Sequence, residues 1–462
     1  KDLAYFSGLL GSAQLDQNSI ASSRELLNRF VSFYSNASYT YDDKYVLSGS
    51  IRWDRSNLWG TNSKYQNKPL WSVGGSWNIY KEKFFQADFV DMLKLRASYG
   101  IGGNIGRNTA PYLIASYYDS SLVDGMAGSV NTPPNKDIRW EKTTTVNVGV
   151  DFALFRHRLS GTIEYYNKYS VDLLAAINGS PTQGFGYTTL MTNNGKMVNR
   201  GVEITLSGEI IRQKDFSWNA SLLYAFNRNK VKHISVQPSL WDSRISMPTS
   251  YPMVGKPLYG IYAYKWAGLN ENGDPQVYDA ENNVTSGPAR DYHALVYCGT
   301  TVPIHNASLT NVLRYKGFEF SAMLILDAGH KLRSSNIPSI NMSNGRITST
   351  AKGIVDRWTQ PGDVTDVPRL LFSNDTENFN THRTELYRYS DLFVYDASNI
   401  RLSNISLAYR VPAHWCKKIS LSGARLQFNV ENVATFAFDS KANYDLGGKV
   451  KPNYVWGLYL NF

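Results

Sequence analysis

The chain has 462 residues, a formal net charge of +10 and 42% hydrophobic residues, with 31 Tyr and 11 Trp. It contains no run of about 18 apolar residues, which excludes a transmembrane helix, and its two cysteines, Cys298 and Cys416, exclude a disulfide framework and a cysteine-built metal site. The basic residues are scattered rather than clustered, which argues against nucleic acid as a partner.

From Lys1 to Phe30 the sequence is mixed and polar, with a helical turn expected over Ser22 to Phe30. It shows no signal peptide, so an exported protein would begin here as a mature, processed or internal start. A strict two-residue period then takes over. Phe33, Ala37, Tyr39 and Tyr41 alternate with Tyr34, Asn36, Ser38 and Thr40, a turn follows at Asp42-Asp43-Lys44, and Tyr45, Leu47, Gly49, Ile51 and Trp53 alternate with Ser48, Ser50, Arg52 and Asp54. This is a hairpin with turn residues at its centre. Trp71 to Ile79 and Leu93 to Tyr99 repeat the pattern, and Val146 to Leu154 passes through Arg156-His157-Arg158 into Leu159 to Tyr165.

The clearest hairpin runs from Asn199 to Asn227. Val202, Ile204, Leu206 and Ile210 alternate with Glu203, Thr205, Ser207 and Glu209, and then Phe216, Trp218, Ala220, Leu222, Tyr224 and Phe226 alternate with polar residues. Successive strand side chains point to opposite faces, so each arm is oily on one side and hydrophilic on the other. A dry core would not take the carboxylates cheaply, whereas a water-filled lumen accepts them. Each arm has roughly the 9–11 residues that a tilted strand needs to cross a bilayer. Further strands are expected at Leu309 to Tyr315, Phe318 to Leu326, Ile405 to Tyr409, Leu426 to Val430 and Tyr454 to Phe462.

The fold class is thus all-β, an antiparallel transmembrane barrel with about 13 spanning strands in this chain. Short turns near Asp43, Lys83, His157, Lys214, Lys316 and Trp415 alternate with long connections at 55–69, 103–138, 169–198, 230–306, 329–398 and 432–451. Outer-membrane barrels have short periplasmic turns and long extracellular loops. To keep this parity, Tyr259 to Leu269 is assigned to β-structure inside a loop rather than to a span. An odd strand number places residues 1–29 in an extracellular loop segment and makes residues 30–462 the C-terminal part of the barrel. Cys298 falls in a long loop and Cys416 in a short turn, so the two are not expected to pair.

Several segments, in order, carry a family resemblance: Tyr39 to Asp54, Leu93 to Asn104, Asp137 to Phe152, Asn194 to Glu203, Gly255 to Leu269, Arg401 to Tyr409 and Gly457 to Phe462. Together they resemble the C-terminal part of a SusC/RagA-type TonB-linked outer-membrane transporter. The resemblance implies a barrel of about 22 strands closed by a plug domain, with the plug and the remaining strands outside this chain. It also implies a SusD-like surface lipoprotein as partner, TonB as energy source through the missing N-terminal part, and import of a glycan or peptide nutrient through the bacterial outer membrane, in contact with its lipid.

No enzyme signature is present: G-x-S-x-G, H-E-x-x-H and the P-loop pattern are all missing. No cofactor motif is read either, since Gly100 to Gly106 follows a strand and opens no apolar helix. Asn270 to Asp274 is a turn rather than a calcium loop, and the seven histidines are dispersed. The alternatives in other classes are a passive porin or adhesin and an outer-membrane enzyme barrel.

Two sets of residues stand out. Arg52, Asp54, Arg96, Glu164, Glu203, Arg425 and Glu431 are expected to face the lumen, where they bond to one another or to the plug, or else touch solute in transit. For ligand binding the long loops are the better place. Trp241, Tyr251, Tyr292, Arg357 and Trp358 offer flat faces or forked donors there, with Asn104, Tyr117, Tyr118 and Asn344 as further candidates.

Overall fold

The computed structural model describes residues 27, 29–58, 60, 62, 65, 68–104, 106, 111–120, 125–179, 182, 189–238, 242–287, 291–342, 350–372, 381–446 and 451–462. The expected helical turn before Phe30 and most of the 1–29 segment lie outside these residues.

Thirteen strands form one antiparallel sheet in which each lies beside the next along the chain. They are β1 (Phe30–Tyr41), β2 (Tyr45–Ser56), β3 (Leu70–Asn78) and β4 (Val90–Asn104). Next come β5 (Glu141–Leu154), β6 (Leu159–Asn178), β7 (Thr189–Arg212) and β8 (Phe216–His233). The last are β9 (His305–Tyr315), β10 (Phe318–Ala328), β11 (Asn399–Arg410), β12 (Gly423–Ala437) and β13 (Asn453–Asn461).

Strand pairing follows the alternation. On β7 and β8, Leu206 lies across from Leu222 and Ser207 from Ser221, so oily residues share one face and hydroxyls the other. The oily face is bare: Leu47, Val148, Leu407 and Leu458 are 61%, 47%, 47% and 62% exposed. A water-soluble protein does not leave so large an apolar surface uncovered, whereas a barrel wall turns such a band towards lipid. The polar face is laced by short bonds such as Ser50 Oγ to Ser72 Oγ at 2.7 Å and Ser207 Oγ to Ser221 Oγ at 3.0 Å.

Short connections alternate with long ones, as expected. At the β1–β2 turn Asp42 and Asp43 are left-handed (φ 49° and 53°), and the Lys44 N–H donates to the Tyr41 carbonyl. At the β9–β10 turn Lys316 is left-handed, and the missing side chain of Gly317 leaves room for the Arg410 carbonyl oxygen, which would stand 2.9 Å from a Cβ. One expectation needs correction. Residues 169–198 do not form an open connection, because β6 and β7 stay paired from Leu159 to Asn178 and from Thr189 to Gly208, broken only by bulges.

The connections after β8 and β10 fold together into a compact body. Gly260–Tyr264 and Trp266–Leu269 are strands inside the first of them, not a span. Tyr262, Tyr264, Val277, Leu295 and Leu386 form its core, with Ile340, Tyr387 and Phe393 in a second cluster. Among the described residues its longest helix is α1 (Thr381–Arg388). Arg383 on α1 is nearly fully buried; its Nε donates to Asp274 Oδ1 at 2.9 Å and its Nη2 to the Arg369 carbonyl at 2.7 Å. Arg333 donates to the Tyr262 carbonyl at 2.6 Å. Burial lowers the guanidinium pKa of both arginines, against the pull of Asp274 on Arg383.

Candidate functional site

On the polar face of the wall, Arg96 of β4 lies directly across from Gly149 of β5. A Cβ at Gly149 would sit 3.1 Å from the guanidinium carbon, so the glycine is what lets Arg96 lie across its neighbour. Arg96 reaches Asp151 Oδ2 at 3.0 Å and, one strand further, Glu164 Oε2 at 2.9 Å. Asn147 and Thr162 donate to the same two carboxylates. Glu203 stands opposite Glu164 in the ladder. Like charges so placed repel, and Arg96 offsets one of them. Elsewhere on this face Arg52 pairs with the buried Asp54 at 2.7 Å, and Arg425 with Glu319 at 3.0 Å. Glu203 and Glu431 are in no ion pair among the described residues.

At the long-connection end of the same face the wall forms a recess. Two irregularities build it. On β6 the register slips between Ser170 and Leu174, where Asp172 is left-handed (φ 57°); on β8 it slips between Val231 and His233. A bulge takes side chains out of strict alternation and re-aims them. The first is pinned from the connection before β5: Arg139 Nη2 donates to Asp172 Oδ1 at 2.7 Å, and Asn193 bridges the Arg139 and Asp172 carbonyls. That hydrogen bond raises the Arg139 pKa, against the effect of burial.

Between the two bulges lies a cavity of 330 Å³ lined by Leu174, Ala176, Met191, Met197, Val231 and Leu258. Its volume suits one apolar group. Glu141, Lys196 and His233 supply polar groups at its border. Met197 and Val231 share the face of Glu203 and Asn229, as the Asn229 to Asn199 side-chain bond at 2.7 Å shows. Two flexible methionines make such a lining adaptable to differently shaped groups.

The nominated residues fall into different places. Asn104 donates to Glu141 Oε2 at 3.0 Å, while Glu141 Oε1 accepts from the Leu174 N–H at 2.8 Å, so Asn104 acts behind the recess by holding its wall. Tyr251 is buried beside it, between the lining residues Ser250 and Pro252. Tyr117 and Tyr118 are exposed on a separate hairpin, Ile114–Ser120 with Gly125–Thr132. Tyr292 packs on the loop core beneath the Arg244 guanidinium, 4.6 Å from its ring. Trp358 covers the turn at Gly273, where a Cβ would meet its ring at 2.4 Å, and Arg357 donates to the Ile354 carbonyl. Trp241 and Asn344 lie outside the described residues. Leu174, Met191, Met197, Glu141 and His233 were not nominated. Their signal was Met191 and Met197 flanking a polar run, in a stretch assigned to open loop.

Asp274, at the end of the Asn-Gly turn, accepts from both Arg369 and Arg383. No cluster able to hold a metal ion occurs among the described residues. Cys298 and Cys416 are both free.

The chain matches the family described as TonB dependent receptor-like, beta-barrel over residues 4–433. It is 26% identical to TonB-dependent receptor P3 of Formosa agariphila over 97% of this chain and 45% of that protein. It is 25% identical to TonB-dependent receptor SusC of Bacteroides thetaiotaomicron, over 88% of this chain and 40% of that one. Among solved structures, the RagAB peptide transporter superposes with a TM-score of 0.76 at 23% identity, covering 94% of this chain and 48% of that one, and shows the same fold. The chain spans about half the length of the curated relatives it matches. These relatives are receptors and transporters rather than enzymes. The chain belongs to the TonB-dependent receptor-like β-barrel family and is of the SusC/RagA type.

Proposed function

We propose that the chain supplies the C-terminal part of an outer-membrane importer that takes up peptides, energised through TonB and capped by a SusD-like lipoprotein. The observation that carries the choice of cargo is the recess between the two bulges. Its wall of Leu, Met, Val and Ala side chains suits an apolar peptide side chain, whereas sugar hydroxyls brought against it would lose hydrogen bonds to water. Glu141, Lys196 and His233 at the border offer partners for a peptide backbone or terminus. The RagAB peptide transporter shares the fold, and that supports the reading. The bacterial outer membrane is the expected location, with the long connections outside.

The test is uptake by the complete transporter with its lipoprotein in cells. Ala176→Trp, which fills the recess, is expected to cut uptake of a mixture of apolar-rich peptides at least tenfold while the barrel still inserts. Uptake of an oligosaccharide by the wild type, unaffected by Ala176→Trp, would overturn the peptide reading.

A further inference from the structure

The oily face of the wall changes character abruptly on β7 and β8. Leu222, Tyr224 and Phe226 are followed, at the next three positions of the same face, by Arg228, Lys230 and Lys232. On β7, Ile204 and Val202 give way at the same height to Arg200, which stands directly opposite Arg228. Lys256, from the connection after β8, adds a fifth cation, 4.8 Å from the Tyr297 ring. All five line one open cavity of 710 Å³ on the outside of the sheet, with Tyr165 and Phe226 on its apolar side.

Three features single this surface out. No carboxylate lines it among the described residues, and none of the five cations is in an ion pair there. Arg200 and Arg228 face each other across the ladder, an arrangement that like charge makes unfavourable unless an anion lies between them. The height also fits: Phe216 to Phe226 is about the 9–11 residues needed to cross the hydrocarbon, so the cations begin where lipid headgroups begin. Basic side chains there attract anionic headgroups.

We propose that this surface binds the phosphate-bearing headgroup of an acylated lipid in the leaflet on the long-connection side. The phosphate lies between Arg200 and Arg228, within reach of Lys230, and the acyl chains descend along Phe226, Tyr224 and Leu222. This rests on the barrel's place in a membrane and is independent of what the recess on the opposite face takes.

The test uses the full-length transporter in detergent, titrated with a bisphosphorylated, acylated disaccharide lipid and followed by native mass spectrometry. The same lipid without its phosphates and inorganic phosphate alone serve as comparisons. Each surface cation contributes roughly a fivefold gain, so the triple variant Arg200→Gln, Arg228→Gln, Lys230→Gln is expected to bind the phosphorylated lipid about 100-fold more weakly. Heat-modifiable gel mobility reports whether the variant barrel is folded. Should it not fold, the wild type decides alone, by preferring the phosphorylated lipid over the dephosphorylated one at least tenfold. Equal binding of the two lipids, equal binding by a folded variant, or full displacement by millimolar inorganic phosphate would each overturn the proposal. Loss of an acidic protein partner from the variant with lipid binding unchanged would also overturn it.

Discussion

The wall and the body formed by the connections after β8 and β10 solve the burial problem in opposite ways. In the wall, leucines and valines point outward and stay exposed, while arginines and carboxylates meet on the inner side. In the loop body the order is that of a soluble protein: Tyr262, Tyr264, Val277, Ile340 and Tyr387 are 1%, 1%, 0%, 0% and 1% exposed. The same chain therefore contains one part whose apolar surface needs lipid and one part that needs only itself. Core substitutions should hurt the loop body, and outward charges should hurt the wall.

The largest expected effect breaks the loop body. Arg383→Leu leaves Asp274 with Arg369 alone and takes the side-chain donor away from the Arg369 carbonyl; removing one partner of a buried ion pair costs about 3–5 kcal/mol. Hydrogen exchange on the assembled transporter should show loss of protection in residues 260–300 and 329–398, with β4 to β6 unchanged. Exchange lost evenly across both regions would mean that they fold as one unit.

Next comes the wall. Leu407→Arg on the outward face is expected to cost about 2–4 kcal/mol when the site lies near the bilayer midplane. The measurement is reversible denaturation of the full barrel in lipid vesicles, and a Leu407→Ala control should lose far less. Smaller again is Gly149→Val, whose side chain would strike Arg96; overpacking of this kind costs about 1–3 kcal/mol. Because Arg96 would then release Glu164, the variant should also raise ion leakage if the polar face lines the passage. A stable, tight Gly149→Val barrel would show that Arg96 has another way round.

The smallest effect sharpens the comparison without changing the fold. Burial within the loop body pushes the Cys298 thiol up to about 11 from an ordinary 9.0. Only the thiolate reacts, so alkylation at pH 8 should run roughly 100-fold below a free thiol. The sign follows from the raised value: below pH 9 both folded and unfolded thiols are neutral, and between 9 and about 11 the unfolded chain ionises first, which lowers stability. Fast labelling at pH 8 in the intact protein would place Cys298 in water.

The wall was legible because its period of two is local: Leu222 or Phe226 states its face by its neighbours alone. The alternation of short and long connections was equally plain. The recess was not, because β6 and β7 continue past the expected membrane height, register slips at Asp172 on β6 and after Val231 on β8, and a bulge leaves no fixed mark in composition. The loop core was hidden for another reason. Tyr262, Val277, Ile340 and Leu386 come from distant stretches, and only tertiary contact makes them a core. Trp358 and Tyr292 show the same limit, since an aromatic ring in a loop reads alike whether it packs on Gly273 or waits for cargo.

Asp274 belongs to the connection after β8, whereas Arg369 and Arg383 belong to the one after β10. Trp266 from the first is tied to Asp366 and Asp391 from the second. Each of these two loops therefore completes the other. Grafting either one alone onto a related barrel would strand a charge in a dry interior, while moving both keeps these pairs and asks of the host the spacing of the four strand ends and a carboxylate placed like Asp445, which accepts from Ser334 and Ser335.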